Sequence, residues 1–182
     1  VAGNVETSQA VTNALIGALG IMAAGQGTMN NFTFGNNAGY QNYETICGGA
    51  GAGPDYDGTD AIHTHMTNTL ATDPEILEWR FPVVLESFSI RDESGGAGKY
   101  RGGNGIIRRV RFEEAMIAAV VSGHRRVPPF GVAGGEPGKC GRNYVERAGG
   151  TVTELDGTDG VEMLPGDVFV IETPGGGGYG QS

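Results

Sequence analysis

Thirty-four of the 182 residues are glycine, against an ordinary share of about 7%. They come in blocks and not at a fixed period, which excludes a collagen helix. Runs of Val, Ile and Phe separate the blocks, so the composition does not fit a disordered chain. What remains is a compact chain in which backbone turns sharply or approaches other backbone closely, the two situations that favour a residue without a Cβ. The main blocks are 48–53, 94–105, 133–143 and 174–180. A chain of this length fits one domain and can bury about 70% of the surface it exposes when unfolded.

The net charge is −9 and the isoelectric point about 4.7. Such a chain repels a phosphate backbone, so no nucleic-acid partner is expected. No apolar run reaches the ~18 residues of a membrane span, and the N-terminus lacks the basic and apolar regions of a signal peptide. Cys47 and Cys140 are not spaced as zinc ligands and build no disulfide framework, which points to a reducing, cytoplasmic setting. The chain opens on Val1 and enters a helical pattern almost at once, which reads as a cut within a longer protein.

From Glu6 to Ala24, Val11, Leu15, Ala18, Leu19 and Met22 recur at helical spacing and predict a helix with that stripe facing the core. Asn4 or Thr7 is its expected cap and Gly25 its expected end. Gly17 and Gly20 weaken it and require tight packing. Residues 25–43 read as a polar loop whose Met29, Phe32 and Phe34 fill the core. Asp73-Pro74-Glu75 starts a short helix. Strands are predicted at 83–91, 106–112, 116–122 and 168–173, with 116–122 pairing 106–112, and a hairpin turns at Gly149-Gly150. The fold class is α+β. A long N-terminal helix packs on a mainly antiparallel sheet or sandwich with long glycine-rich loops, the helix and histidine-rich part spanning 1–82 and the β-rich part 83–182 of a single domain.

The chemistry concentrates in Ala61-Ile62-His63-Thr64-His65-Met66-Thr67-Asn68-Thr69, which holds two of the three histidines and no charge. In an extended conformation His63, His65, Thr67 and Thr69 share one face. Paired imidazoles followed by hydroxyls could hold a metal, polarise a carbonyl or move a proton. They could equally be satisfied structural residues. Glu44 lies upstream beside a glycine loop, and Gln26, Asn30, Asn31 and Asn37 offer amides that either meet a planar polar group or bond their own backbone. The loop 94–105 carries Lys99 and Arg101 but is followed by a strand. It is therefore neither a Walker loop nor a dinucleotide fingerprint, and a phosphate cradle competes with a plain connection. His124, Arg125 and Arg126 suit an anion, a subunit contact or a solvated loop.

Together the motifs Gly3-Asn4-Val5-Glu6-Thr7-Ser8-Gln9, Gln26-Gly27-Thr28-Met29-Asn30-Asn31, Tyr43-Glu44-Thr45, His63 to Thr69, Ser94-Gly95-Gly96-Ala97-Gly98, Tyr100-Arg101-Gly102-Gly103 and Glu172 to Gly180 resemble the hydantoinase B/5-oxoprolinase family, across the C-terminal part of its B-type subunit. The resemblance implies a complex with an ATP-binding A-type subunit that opens cyclic amides at the expense of ATP. In related enzymes the outcome is carboxylation of ketones such as acetone. ATP and Mg would sit on the partner, any divalent metal in the N-terminal part of the B-type chain, and none in this stretch. Amide opening needs proton transfer and stabilisation of oxyanion charge. His63 or His65 is the expected proton carrier, with Glu44 orienting one of them. Thr67, Asn68 and Asn30 are expected on the ring amide, and Arg101 on a carboxylate or phosphate. A fragment of this kind is expected to be inactive alone, and a scaffold without catalytic residues is the competing reading.

Overall fold

The computed structural model describes residues 6–182, so the expected cap Asn4 lies outside the described residues. The elements in order are α1 (Glu6–Leu19), β1 (Asn31–Gly35), β2 (Gln41–Glu44), α2 (Pro74–Arg80), β3 (Val83–Arg91), β4 (Gly105–Phe112), β5 (Met116–Val121), β6 (Arg142–Glu146), β7 (Val152–Leu155), β8 (Thr158–Met163) and β9 (Val168–Glu172). Two sheets form, ordered β2-β1-β5-β8 and β3-β4-β9-β6-β7, and the strand pairs are antiparallel. This is the expected α+β class, built as a sandwich.

Alternation along the strands makes the core. On β4, Ile106, Val110 and Phe112 are buried while Arg109 and Arg111 form ion pairs at the surface. β1 sends Phe32 and Phe34 across to the opposite sheet, with ring centroids 4.8 Å from Phe169 and 5.4 Å from Phe112 respectively. Each such side chain contributes about 1.5–3 kcal/mol by leaving water. The segment read from sequence as a polar loop therefore supplies a hairpin, β1–β2, through its Phe-x-Phe alternation. α2 follows the expected start, with Asp73 Oδ1 accepting from the amides of Glu75 and Ile76 at 2.9 and 3.4 Å.

One predicted pairing is corrected. β5 does not pair with β4, because β3 and β9 already occupy both edges of β4. The chain crosses at 113–115 into the other sheet, where β5 lies between β1 and β8.

The glycine blocks pack against one another. The segment 174–180 is buried up to Gly178 and sends hydrogen bonds to several flanking segments in turn. Gly176 N–H donates to Gly103 O and Gly177 N–H to Ala24 O, both at 2.8 Å. Gly178 N–H donates to Glu136 O at 2.9 Å, and Gly176 O accepts from Gly96 N–H at 2.8 Å. Backbone runs this close only where Cβ atoms are absent. The expectation of close backbone approach is met here.

α1 is shorter than expected. Gly20 takes φ +64°, and Ile21 N–H reaches Ile16 O at 3.3 Å, a Schellman-type end. Gly17 is required by packing, since a Cβ there would stand 2.6 Å from the Phe130 ring. The face, however, is opposite to the expected one. Val11, Leu15 and Leu19 are 61%, 59% and 63% exposed, whereas Gln9 and Asn13 are buried.

Asp167 ties the β8–β9 turn to the β6–β7 hairpin. Its carboxylate accepts from the amides of Leu164 (2.9 Å) and Ala148 (3.0 Å) and from Arg147 Nη1 (2.8 Å). Burial pushes its pKa up, but the two amides and Arg147 outweigh that and hold it below the ordinary carboxylate value. A depressed carboxylate contributes stability above its unfolded pKa of about 3.9 and loses it as pH falls further. Urea unfolding from pH 7 to pH 3 should therefore show a falling midpoint at the acid end. Asp167→Asn should flatten that dependence and cost about 2 kcal/mol at pH 7.

Candidate functional site

The histidine segment is not a strand. Ile62 forms an isolated bridge to Gly48, with Ile62 N–H to Gly48 O at 2.9 Å. The chain then turns at His65–Met66, with Met66 at φ +67° and Thr67 N–H on Thr64 O at 3.3 Å. The expected single face of His63, His65, Thr67 and Thr69 is therefore broken. An extended segment keeps its alternation only where a neighbouring strand holds it, and this one lacks a continuous partner.

The turn divides the segment in two. Beyond it, Thr67, Asn68 and Thr69 join Met29, Tyr43, Thr45 and Met66 around an open recess of about 530 Å³. Its walls carry hydroxyls, an amide and thioethers, with no charged side chain among them. Tyr43 Oη donates to Asn31 Oδ1 at 2.6 Å, and the Thr45 and Thr69 hydroxyls bond each other.

Before the turn, His65 faces α1. Its Nε2 lies 3.0 Å from Asn13 Oδ1, while Asn13 Nδ2 donates to Gly25 O at 3.4 Å. One helical turn earlier, Gln9 Nε2 donates to Thr67 Oγ1 at 2.6 Å. The third histidine stands nearby. A Cβ on Gly27 would lie 2.6 Å from Asn13 Nδ2 and nearer still to His124 Nε2. His124 Nδ1 sits 2.7 Å from Val127 O. Burial lowers the pKa of His63, His65 and His124, so all three are neutral at pH 7 and able to accept a proton. Gln9 Oε1, His63 Nδ1 and Thr64 Oγ1 are buried without hydrogen-bond partners.

The remaining expected residues are placed elsewhere. Glu44 does not orient an imidazole. Both of its oxygens accept from Arg108, Nε and Nη2 each at 3.0 Å, because Arg108 points inward from β4 between Ile106 and Val110. Burial pushes the Glu44 carboxyl up and Arg108 draws it back. Asn30 is fully buried. Its Nδ2 donates to Gln26 Oε1 (2.7 Å) and Ile46 O (3.0 Å), and its Oδ1 accepts from Arg125 (2.9 Å), so both donors are spent and burial keeps the oxygen from a ligand. Arg101 meets a carboxylate, but it is the chain's own Asp60, at 2.8 and 3.3 Å. The loop 94–105 has spent most of its amides too. Those of Ser94 and Gly95 bond Asn104 Oδ1, and those of Gly96, Gly102 and Gly103 bond backbone carbonyls, so it is a connection and not a phosphate cradle. Cys47 is buried, which raises its thiol pKa and suits no nucleophile.

Reading the sequence missed Glu6, Gln9 and Asn13, and it grouped His124 and Arg125 only as basic loop residues. Glu6 Oε1 accepts from Thr28 Oγ1, the Met29 amide and Asn31 Nδ2, each at 2.9 Å. Arg125 is held by Asn30, Asn143 and the Gly123 carbonyl, and burial lowers its pKa to about 10. The available signal was the spacing of Gln9 and Asn13, four residues apart on a helix whose apolar stripe drew the inward assignment.

The family model for hydantoinase B/oxoprolinase matches residues 1–182. The chain belongs to that family. The 5-oxoprolinase of Saccharomyces cerevisiae is 46% identical over 199 residues, which cover 100% of this chain and 16% of that protein. This hydantoinase B-type chain thus spans about a sixth of the length of that curated relative. The crystal structure of the ATP-dependent caprolactamase from Pseudomonas jessenii superposes with a TM-score of 0.76 at 25% identity, covering 88% of this chain and 30% of that one. The nucleotide-free structure of acetone carboxylase matches with a TM-score of 0.72 at 19% identity, over 87% of this chain and 26% of that one. That last likeness shows a shared fold. No described helix is long and apolar enough to cross a membrane.

Proposed function

We propose that this chain is part of the B-type subunit of an ATP-dependent cyclic amide hydrolase and works with an A-type, ATP-binding subunit. The observation that carries the reading is the uncharged recess at Thr67–Thr69, reached by the same turn that His65 begins. A lactam ring is small, flat and neutral, with one acceptor and one donor. Asn68, Thr67 and the hydroxyls of Thr45 and Tyr43 match those groups without burying a charge. His65, neutral at pH 7, is suited to take a proton from attacking water or return one to the leaving nitrogen. His63 is the second candidate for that role. ATP and Mg belong to the partner in this reading, in keeping with a glycine loop most of whose amides are already bonded. The stretch alone is then inactive. Ketone carboxylation is the second reading, supported by the fold shared with acetone carboxylase, and substrate profiling of the intact complex with and without bicarbonate separates the two.

His63→Ala and His65→Ala in the assembled complex test the site. Turnover should fall about 100-fold or more in at least one of them, while the complex still elutes as one assembly. Near-normal turnover in both would remove the histidines from the chemistry and favour a scaffold.

A further inference from the structure

We infer that Asn13 is a positioning residue for His65, holding the Nε2 proton so that Nδ1 is left as the ring's proton acceptor. The inference rests on the reading that His65 moves a proton. The geometry decides it in two steps. Asn13 is buried, and the two ends of its amide are told apart by the groups they meet. One end faces Gly25 O at 3.4 Å. A carbonyl oxygen only accepts, so that end is the NH2 group. The other end, 3.0 Å from His65 Nε2, is therefore the carbonyl oxygen, which only accepts in turn. Nε2 must carry the hydrogen. Nδ1 then keeps its lone pair, and it makes no hydrogen bond among the described residues.

The same amide separates two imidazoles of opposite tautomer. His124 Nδ1 lies 2.7 Å from the Val127 carbonyl, so its hydrogen is on Nδ1 and its Nε2 lone pair faces the position that a Gly27 side chain would occupy, beside Asn13 Nδ2. His124 is held there at φ +52°, a conformation unusual for a residue with a Cβ. An orienting group that fixes a tautomer is worth far more to catalysis than the net strength of its hydrogen bond. A neutral orienter also differs from the more common carboxylate, because it does not stabilise the imidazolium. The titratable groups around His65 are His63, two residues away, His124 across Asn13, and Glu6, two turns along α1 and engaged with Thr28, Met29 and Asn31. Among the described residues no carboxylate touches the ring.

The first arm of the test needs no activity. Imidazole 15N NMR on the 182-residue chain, assigned with His63→Gln and His124→Gln, should show a protonated Nε2 on His65 and a protonated Nδ1 on His124. Asn13→Ala should leave His65 averaging between tautomers. Asn13→Asp, which keeps size and acceptor, should raise the His65 pKa by about one unit or more. The second arm uses the assembled enzyme. Asn13→Ala should lower kcat about 10- to 100-fold with little change in KM, and Asn13→Asp should recover part of it with the acid limb of the pH profile shifted upward. An Nδ1-protonated or averaging His65 in the parent chain would overturn the inference. So would an unchanged kcat and pH profile in Asn13→Ala where His65→Ala is dead. Full activity in His65→Ala would instead defeat the proposed function, and the NMR arm would still decide what Asn13 holds.

Discussion

Gly176→Ala should leave the chain largely unfolded. The added methyl would overlap the carbonyl of Ala50 and stand 2.8 Å from the Gly51 nitrogen. These are backbone atoms, which cannot turn aside as the end of a side chain can. Making room would break the bonds from Gly176 N–H to Gly103 O and from Gly96 N–H to Gly176 O. Overpacking costs about 1–3 kcal/mol, and buried backbone groups left unpaired add about 1–3 each. The sum, about 3–9 kcal/mol, is comparable with the whole stability of an ordinary domain, about 5–15 kcal/mol. Gly160→Ala is the matched control. Its methyl would lie 3.8 Å from Ala119 Cβ on an open stretch of β8, and the variant should unfold within about 1 kcal/mol of the parent. Urea midpoints of the two variants compare them directly. A stable Gly176→Ala would mean that the glycine segments are not in close backbone contact.

Arg108→Met and Glu44→Leu should each destabilise strongly as single changes and much less together. The pair is nearly inaccessible, with side chains 2% and 4% exposed, and the Arg108 guanidinium also rests over the Phe88 ring at 5.3 Å. Removing one partner strands a charge in the core at a cost of about 3–5 kcal/mol, whereas replacing both with apolar residues of similar size is often neutral or stabilising. A double-mutant cycle in urea measures the difference. Additive single effects would mean that the two side chains do not interact. Since Glu44 serves the core in this way, the double variant should also leave the histidine turn in place, and the imidazole NMR signals report that.

Much of the β-rich half was legible from residues alone. Alternation in 83–91, the Pro-Gly-Asp turn before 168–173 and the Gly149-Gly150 hairpin all mark strands through local chemistry that the tertiary structure does not override. The pairing of β5 was not legible, because a strand's partner depends on which edges other strands have already taken. Arg108 could not be found either, since one inward cation on an apolar strand is intelligible only once Glu44 is seen to arrive from the opposite sheet.

At the site, composition pointed to the right segment and misplaced its geometry. Thr67 and Asn68 do border a recess, and His65 does face polar partners, but a turn at Met66 stands in place of the extended segment, with His65 and Thr67 held to α1 through Asn13 and Gln9. Residue chemistry by itself determined the fold class, the family, the need for close glycine contacts and the neutral, hydrogen-bonding character of the histidine segment, because each of these follows from the kind of side chain present. Tertiary structure alone decided that Glu44 belongs to Arg108, that Asn30 is spent on Gln26, Ile46 and Arg125, and that α1 turns Gln9 and Asn13 inward with its leucines outside. Those outcomes depend on which groups meet across 4 to 95 residues of chain, and a buried polar atom settles wherever its hydrogen bonds are completed, a condition that no local pattern encodes.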